Sequence, residues 1–182
     1  GLIKDYKKII TMDLKKNKNL ILVIGKTEGH LDQSIFAINI LNEKKGPPPE
    51  INLFNEKNNG ETVLKLINKG LINSAHDISL GGIITAVSKM AIQGKKGFKL
   101  NKPKVLINKF DYFFGEDQGR YIIEIEPKNL SKVQKILKEN SVHYDEIGLV
   151  TEKDIIVDKE PIIRIDDLIK SNTIWLENYM DK

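Results

Sequence analysis

The sequence predicts an α+β fold, a mixed β-sheet with helices packed on it. Two observations predict it. Short apolar runs closed by glycine, such as Leu20-Ile21-Leu22-Val23-Ile24 before Gly25, read as buried strands, while longer stretches with apolar residues at helical spacing read as helices. The two kinds of segment alternate without the strict strand–helix–strand rhythm of a parallel sheet. No internal repeat or long linker divides the 182 residues, so residues 1–182 are read as a single domain.

Taken in order, the first strand is Leu20–Ile24. Residues 34–41 follow as a helix with Ser34 as its cap, and Gly46-Pro47-Pro48-Pro49 forces an extended segment. Residues 61–69 form a helix with Val63, Leu64 and Ile67 on one face, stopped by Gly70, and residues 71–75 return as a short strand. The clearest helix spans 82–93, with Ile83, Val87, Met90 and Ala91 in one stripe and Gly94 at its end. Residues 120–126 alternate, placing Tyr121, Ile123 and Ile125 on one face of a half-buried strand. Residues 130–140 are amphipathic, with Val133, Ile136 and Leu137 inward. Residues 143–150 and 155–165 are strand material, the latter a hairpin turning at Asp158-Lys159-Glu160-Pro161. A final helix over 166–179 carries Trp175, expected to anchor the core.

Composition narrows the function classes. The net charge is +4, but the lysines are dispersed in pairs among acids, with no block of five or six like charges. That is the pattern of a solvated surface, and no nucleic-acid partner is expected. Without cysteine there is neither a disulfide nor a thiolate metal site. No apolar run approaches the ~20 residues that cross a bilayer, so no membrane partner is expected. The histidines His30, His76 and His143 lack metal-ligand spacing, and no metal site is expected. The chain opens on Gly1 instead of Met, as a piece of a longer protein would.

Two segments could carry chemistry. In the first, His76-Asp77-Ile78-Ser79-Leu80-Gly81-Gly82 leads from a strand into the clearest helix. Ser79 can cap that helix, and Gly81 and Gly82 let a ligand reach its unpaired amides and positive dipole end. Equally, the glycines could serve tight helix–sheet packing while His76 and Asp77 tie down the turn. In the second, Glu116-Asp117-Gln118 lies between Gly115 and Gly119, just before a strand. These carboxylates and the amide suit hydroxyl or amide groups of a ligand, and Arg120 suits a phosphate or a nearby carboxylate. A surface turn with a structural Arg–acid pair is the alternative.

The order of these segments resembles one family. His76-Asp77-Ile78-Ser79 with Gly81-Gly82-Ile83 and then Met90-Ala91 is similar to the HDxSxGGL…EMA segment of the phosphoribosylformylglycinamidine synthases. Phe114-Gly115-Glu116-Asp117-Gln118-Gly119-Arg120 is similar to their FGEsQgR segment. Gly25-Lys26-Thr27 with Ser34, Gly46-Pro47-Pro48, Ile147-Gly148-Leu149-Val150 and the Trp175-to-Met180 helix match further motifs, over nearly the whole chain. Leu80 stands where the family usually has Asp, and Asp32-Gln33 where it often has Gly-Gly.

The resemblance implies the C-terminal domain of a longer ligase of the aminoimidazole ribonucleotide synthetase-like superfamily. Such a ligase converts formylglycinamide ribonucleotide, ATP and glutamine-derived ammonia to formylglycinamidine ribonucleotide, ADP and phosphate in the cytoplasm. ATP and magnesium are its cofactors, and this piece requires neither. Its expected partners are the N-terminal domains of the same chain and a glutaminase domain or subunit. The resemblance implies no catalytic residue here. Ser79, Gly81, Gly82, Glu116, Asp117 and Gln118 are candidate substrate or nucleotide contacts, with His76, Asp77 and Arg120 structural or accessory. The loop is expected to support structure or an accessory nucleotide more than the reaction. Two rival readings are another ATP-dependent enzyme of the superfamily, such as selenophosphate synthetase or thiamine-phosphate kinase, and a non-enzymatic basic binding module.

Overall fold

The computed structural model describes residues 5–181. Its elements in chain order are β1 (Leu20–Ile24), α1 (Ile35–Asn39), α2 (Leu53–Asn68), β2 (Ser74–Asp77), α3 (Gly82–Gly94), β3 (Gly97–Leu100) and α4 (Lys109–Phe114). β4 (Tyr121–Ile125), α5 (Leu130–Glu139), β5 (Tyr144–Thr151), β6 (Asp154–Val157), β7 (Ile163–Arg164) and α6 (Ile165–Met180) complete it. The strands form one sheet in the order β2-β4-β1-β5-β3-β6-β7. Its pairs are antiparallel except β3 with β6, which makes the sheet mixed.

β1 is apolar at every position because both faces of the sheet are covered. Ile21 and Val23 belong to one core cluster with Ile83, Val87 and Met90 of α3, Tyr112 and Phe113 of α4, and Ile165 of α6. Leu22 and Ile24 belong to a second cluster with Val63 and Leu66 of α2 and Val133, Ile136 and Leu137 of α5. The apolar stripe of α3 is wholly buried, as its spacing requires.

Several expectations are corrected. α2 begins eight residues earlier than 61, where the Asn52 side chain accepts from the Asn55 amide and caps it. Its buried face is Asn59, Thr62, Val63 and Leu66, while Leu64 is exposed. Two polar members hide that stripe from an apolar count. Leu71 and Ile72 are buried but precede the strand, since the Leu71 amide closes α2 by donating to Leu66 O (3.1 Å). β4 is buried on both faces, because Ile122 and Glu124 are as inaccessible as Ile123 and Ile125. β3 and α4 were not predicted: β3 offers only Phe98 and Leu100 as large apolar residues around Lys99. Trp175 anchors no core and is exposed, near the outer end of α6. Among the described residues, no helix is long and apolar enough to cross a membrane.

Candidate functional site

The loop between α4 and β4 is built around a buried arginine. Asn108 caps α4 by accepting from the Asp111 amide (3.0 Å), and the helix ends at Gly115. Arg120 then folds back under the loop. Its Nε donates to Asp117 O (3.0 Å), Nη1 to Thr27 Oγ1 (3.1 Å) and Nη2 to Gly115 O (2.7 Å). Burial pulls the guanidinium below its ordinary value, and the carboxylate of Asp117, 3.4 Å from Nη1, opposes that shift.

Asp117 is itself buried and fully engaged. Its Oδ2 accepts from the amides of Glu28 (3.1 Å) and Gly29 (3.0 Å), and its Oδ1 from that of His30 (3.1 Å). Glu116 ties two helix starts together. Its Oε1 accepts from the Ile35 amide at α1 (2.9 Å) and from the Gly81 amide before α3 (2.8 Å). A carboxylate of the chain thus sits at the positive end of α3, where an anionic ligand would otherwise be drawn.

Both glycines have a backbone reason, and Gly82 a packing reason as well. Gly81 and Gly82 have φ of +82° and +69°, and a Cβ on Gly82 would fall 2.7 Å from the carbonyl oxygens of Gly115 and Phe113. The start of α3 therefore abuts the end of α4. Ser79 does not cap α3: the N-cap is Gly81, and Ser79 contributes its carbonyl to the Gly82 amide (3.1 Å). Ser79 is exposed and lines a cleft instead. His76 Nδ1 lies 2.9 Å from Asp77 Oδ1, beside the same turn.

Gln118 differs from its neighbours. It is exposed, and its Nε2 donates only to Glu116 O within the loop (3.2 Å). With Gly119 and Glu56 it forms the ridge between two polar clefts. The larger, about 620 Å³, adds Lys26, His30, Asn55 and Asn59, and the smaller, about 240 Å³, adds Ser79, Leu80 and Tyr121. Asn59 fixes the ridge by donating to Gly119 O (2.9 Å). The contribution of α2 was missed in the sequence, although Asn52, Asn55 and Asn59 repeat at helical spacing and signal a polar face.

Residues 18–159 match the family of the AIR synthase related protein, C-terminal domain. The chain belongs to this family. It is 69% identical over 181 residues to the phosphoribosylformylglycinamidine synthase subunit PurL of Pelagibacter ubique, covering 100% of this chain and 25% of that protein. The corresponding subunit of Bartonella henselae is 36% identical over 180 residues, 99% of this chain and 24% of that protein. The chain thus spans about a quarter of the length of the curated relatives it matches. Among solved structures, Thermotoga maritima PurL complexed with FGAR superposes with a TM-score of 0.74 at 18% identity, over 90% of this chain and 30% of that one. A thiamine-monophosphate kinase from Stenotrophomonas maltophilia reaches 0.57 at 12% identity, over 84% and 54%. At these identities the superpositions show a common fold.

Proposed function

We propose that this chain is a domain of an ATP-dependent ligase that converts formylglycinamide ribonucleotide, ATP and ammonia to formylglycinamidine ribonucleotide, ADP and phosphate. The observation that carries this reading is the 69% identity to the Pelagibacter ubique ligase subunit, which runs through the 115–120 loop and beyond the family match at 159. The kinase-like alternative has only the shared fold behind it. The N-terminal domains of the same polypeptide and a glutaminase supplying ammonia are the partners this reading brings, in the cytoplasm.

Within that ligase, Gln118 and Ser79 are the candidate ligand contacts, because they are exposed and line the clefts. Glu116, Asp117, Gly81, Gly82 and Arg120 shape the ridge that presents Gln118. ATP supplies the phosphoryl group that turns an amide oxygen into a leaving group. The acids of this loop do not fit magnesium: Asp117 already accepts three amide hydrogen bonds and faces Arg120, and Glu116 accepts two. This domain therefore orients ligand and excludes water, and the charge-neutralising groups come from elsewhere in the polypeptide.

The test is a chimera in which this chain replaces the matching quarter of the Pelagibacter ubique subunit. ADP release that requires both formylglycinamide ribonucleotide and ammonium salt is the expected outcome. A chimera that folds yet shows no such turnover overturns the reading. The 182-residue chain alone is expected to show none.

A further inference from the structure

Among the described residues, the second half of α6 is helical without a buried side chain of its own. Ile165 is buried, and Leu168 and Ile169 pack on the first core cluster, but residues 171–180 are all exposed. That stretch holds Ile174, Trp175, Leu176, Tyr179 and Met180, with Trp175 at 62% and Tyr179 at 69% exposure. Leu168, Trp175, Leu176 and Tyr179 recur at i, i+7, i+8 and i+11, so the stripe that seats the first half continues along the second. Ten residues of helix gain too little from their own hydrogen bonds to persist in water. Trp, Tyr and Met are residue types enriched at interface centres.

The sequence relationships indicate what covers this face. The family match ends at residue 159, so α6 lies outside what the broad family shares. The matches to the Pelagibacter ubique and Bartonella henselae ligase subunits cover 100% and 99% of the chain, and so include α6. Those subunits are about four times as long as the matched region. Glu177 is the one charged residue between 171 and 180, and with no Lys or Arg the stretch is unsuited to phosphate-bearing surfaces. We propose that the second half of α6 docks on another domain of the same polypeptide, with Trp175 and Tyr179 at the centre of the contact. This rests on the ligase reading above.

Trypsin reads the contact directly, because Lys170 is the last basic residue before Lys182 and its cleavage releases the peptide 171–182. The 182-residue chain is compared with the chimera. Release is expected to be about tenfold slower in the chimera, where docking lowers the population of the open helix. Leu176→Asp combined with Tyr179→Asp should restore fast release there, and should leave the melting temperature of the 182-residue chain unchanged. Equal release from both proteins overturns the proposal. So does protection of the 182-residue chain that is lost on dilution, which would make a second copy the occupant, or protection that needs an added subunit. Ligase turnover is measured on the same chimera. Protection without turnover removes the ligase reading and keeps the contact, and turnover without protection does the reverse.

Discussion

At one end of β4, Glu124 is enclosed: its carboxylate accepts from the amides of Lys15 (2.8 Å) and Lys16 (3.1 Å), from Asn19 Nδ2 (2.6 Å) and from Ser74 Oγ (3.0 Å). At the other end, Arg120 and Asp117 are also buried and hydrogen-bonded, yet Gln118 beside them reaches solvent between two clefts. Both ends meet the cost of a buried charge by surrounding it with hydrogen-bond partners. Glu124 is wholly enclosed and staples residues 15–19 to the sheet. The Arg120 end uses its buried charges to shape a ridge and leaves the Gln118 side chain exposed on it. The comparison separates charge that holds the fold from polarity that can meet a ligand.

Removing the charge at the ridge gives the largest expected effect. Arg120→Met leaves Asp117 without its cation and takes donors from Gly115, Asp117 and Thr27. It should cost about 3–5 kcal/mol, read as a lower urea midpoint at unchanged slope. A loss as small as that of an exposed pair would mean that the guanidinium is not held as described. At the enclosed end, Glu124→Gln turns one acceptor into a donor facing the Lys15 and Lys16 amides, Asn19 and Ser74. About 1–3 kcal/mol should be lost by the same measurement. Ligand binding to the 115–120 ridge should stay unchanged in folded protein, and a selective loss of binding would erase the distinction between the two ends.

Tyr112 sharpens the comparison through pH. Its hydroxyl donates to Asp145 Oδ2 (3.1 Å), and burial first, then Asp145, pushes the phenol above its ordinary value of 10.0. The folded state therefore holds this proton more tightly than the unfolded state. The resulting stability is complete below pH 10.0 and is lost as pH rises from there toward the folded value. Tyr112→Phe should flatten the fall in melting temperature above pH 10.0, and an unchanged alkaline limb would assign that fall to other groups.

The smallest stability effect is expected at Gln118. Its bond stays within an exposed loop, so Gln118→Ala should change stability by no more than about 0.5 kcal/mol. In the active chimera its KM for the ribonucleotide should rise by less than ~10-fold, under about 1.4 kcal/mol, with kcat nearly unchanged. A far larger rise would place the ridge against the reacting groups.

Much of this arrangement was legible in the residues. The run Leu20–Ile24 could be a strand because five successive apolar residues suit a sheet covered on both faces, and the spacing of Ile83, Val87 and Met90 marked the inner face of α3. The candidate segments were legible too, since Gly81-Gly82 and Glu116-Asp117-Gln118 break the surrounding patterns. Which of these polar side chains point inward was not legible. A carboxylate reads the same in sequence whether water or three backbone amides surround it. Asp117 depends on the loop at 28–30 and Glu116 on the starts of α1 and α3, partners that are far away along the chain.

The sequence by itself determined the strands and helices with strong periodicity, the apolar faces they bury, and the membership of the family through its motifs. Only the tertiary structure decided that Glu124 is a staple, that Gly82 serves the approach of α3 to α4, that Ser79 and Gln118 line clefts, and that Trp175 stands exposed on α6. The physical reason is one of range. Periodicity and turn chemistry are properties of a few neighbouring residues, whereas burial and hydrogen-bond satisfaction belong to segments that meet only when the chain has folded.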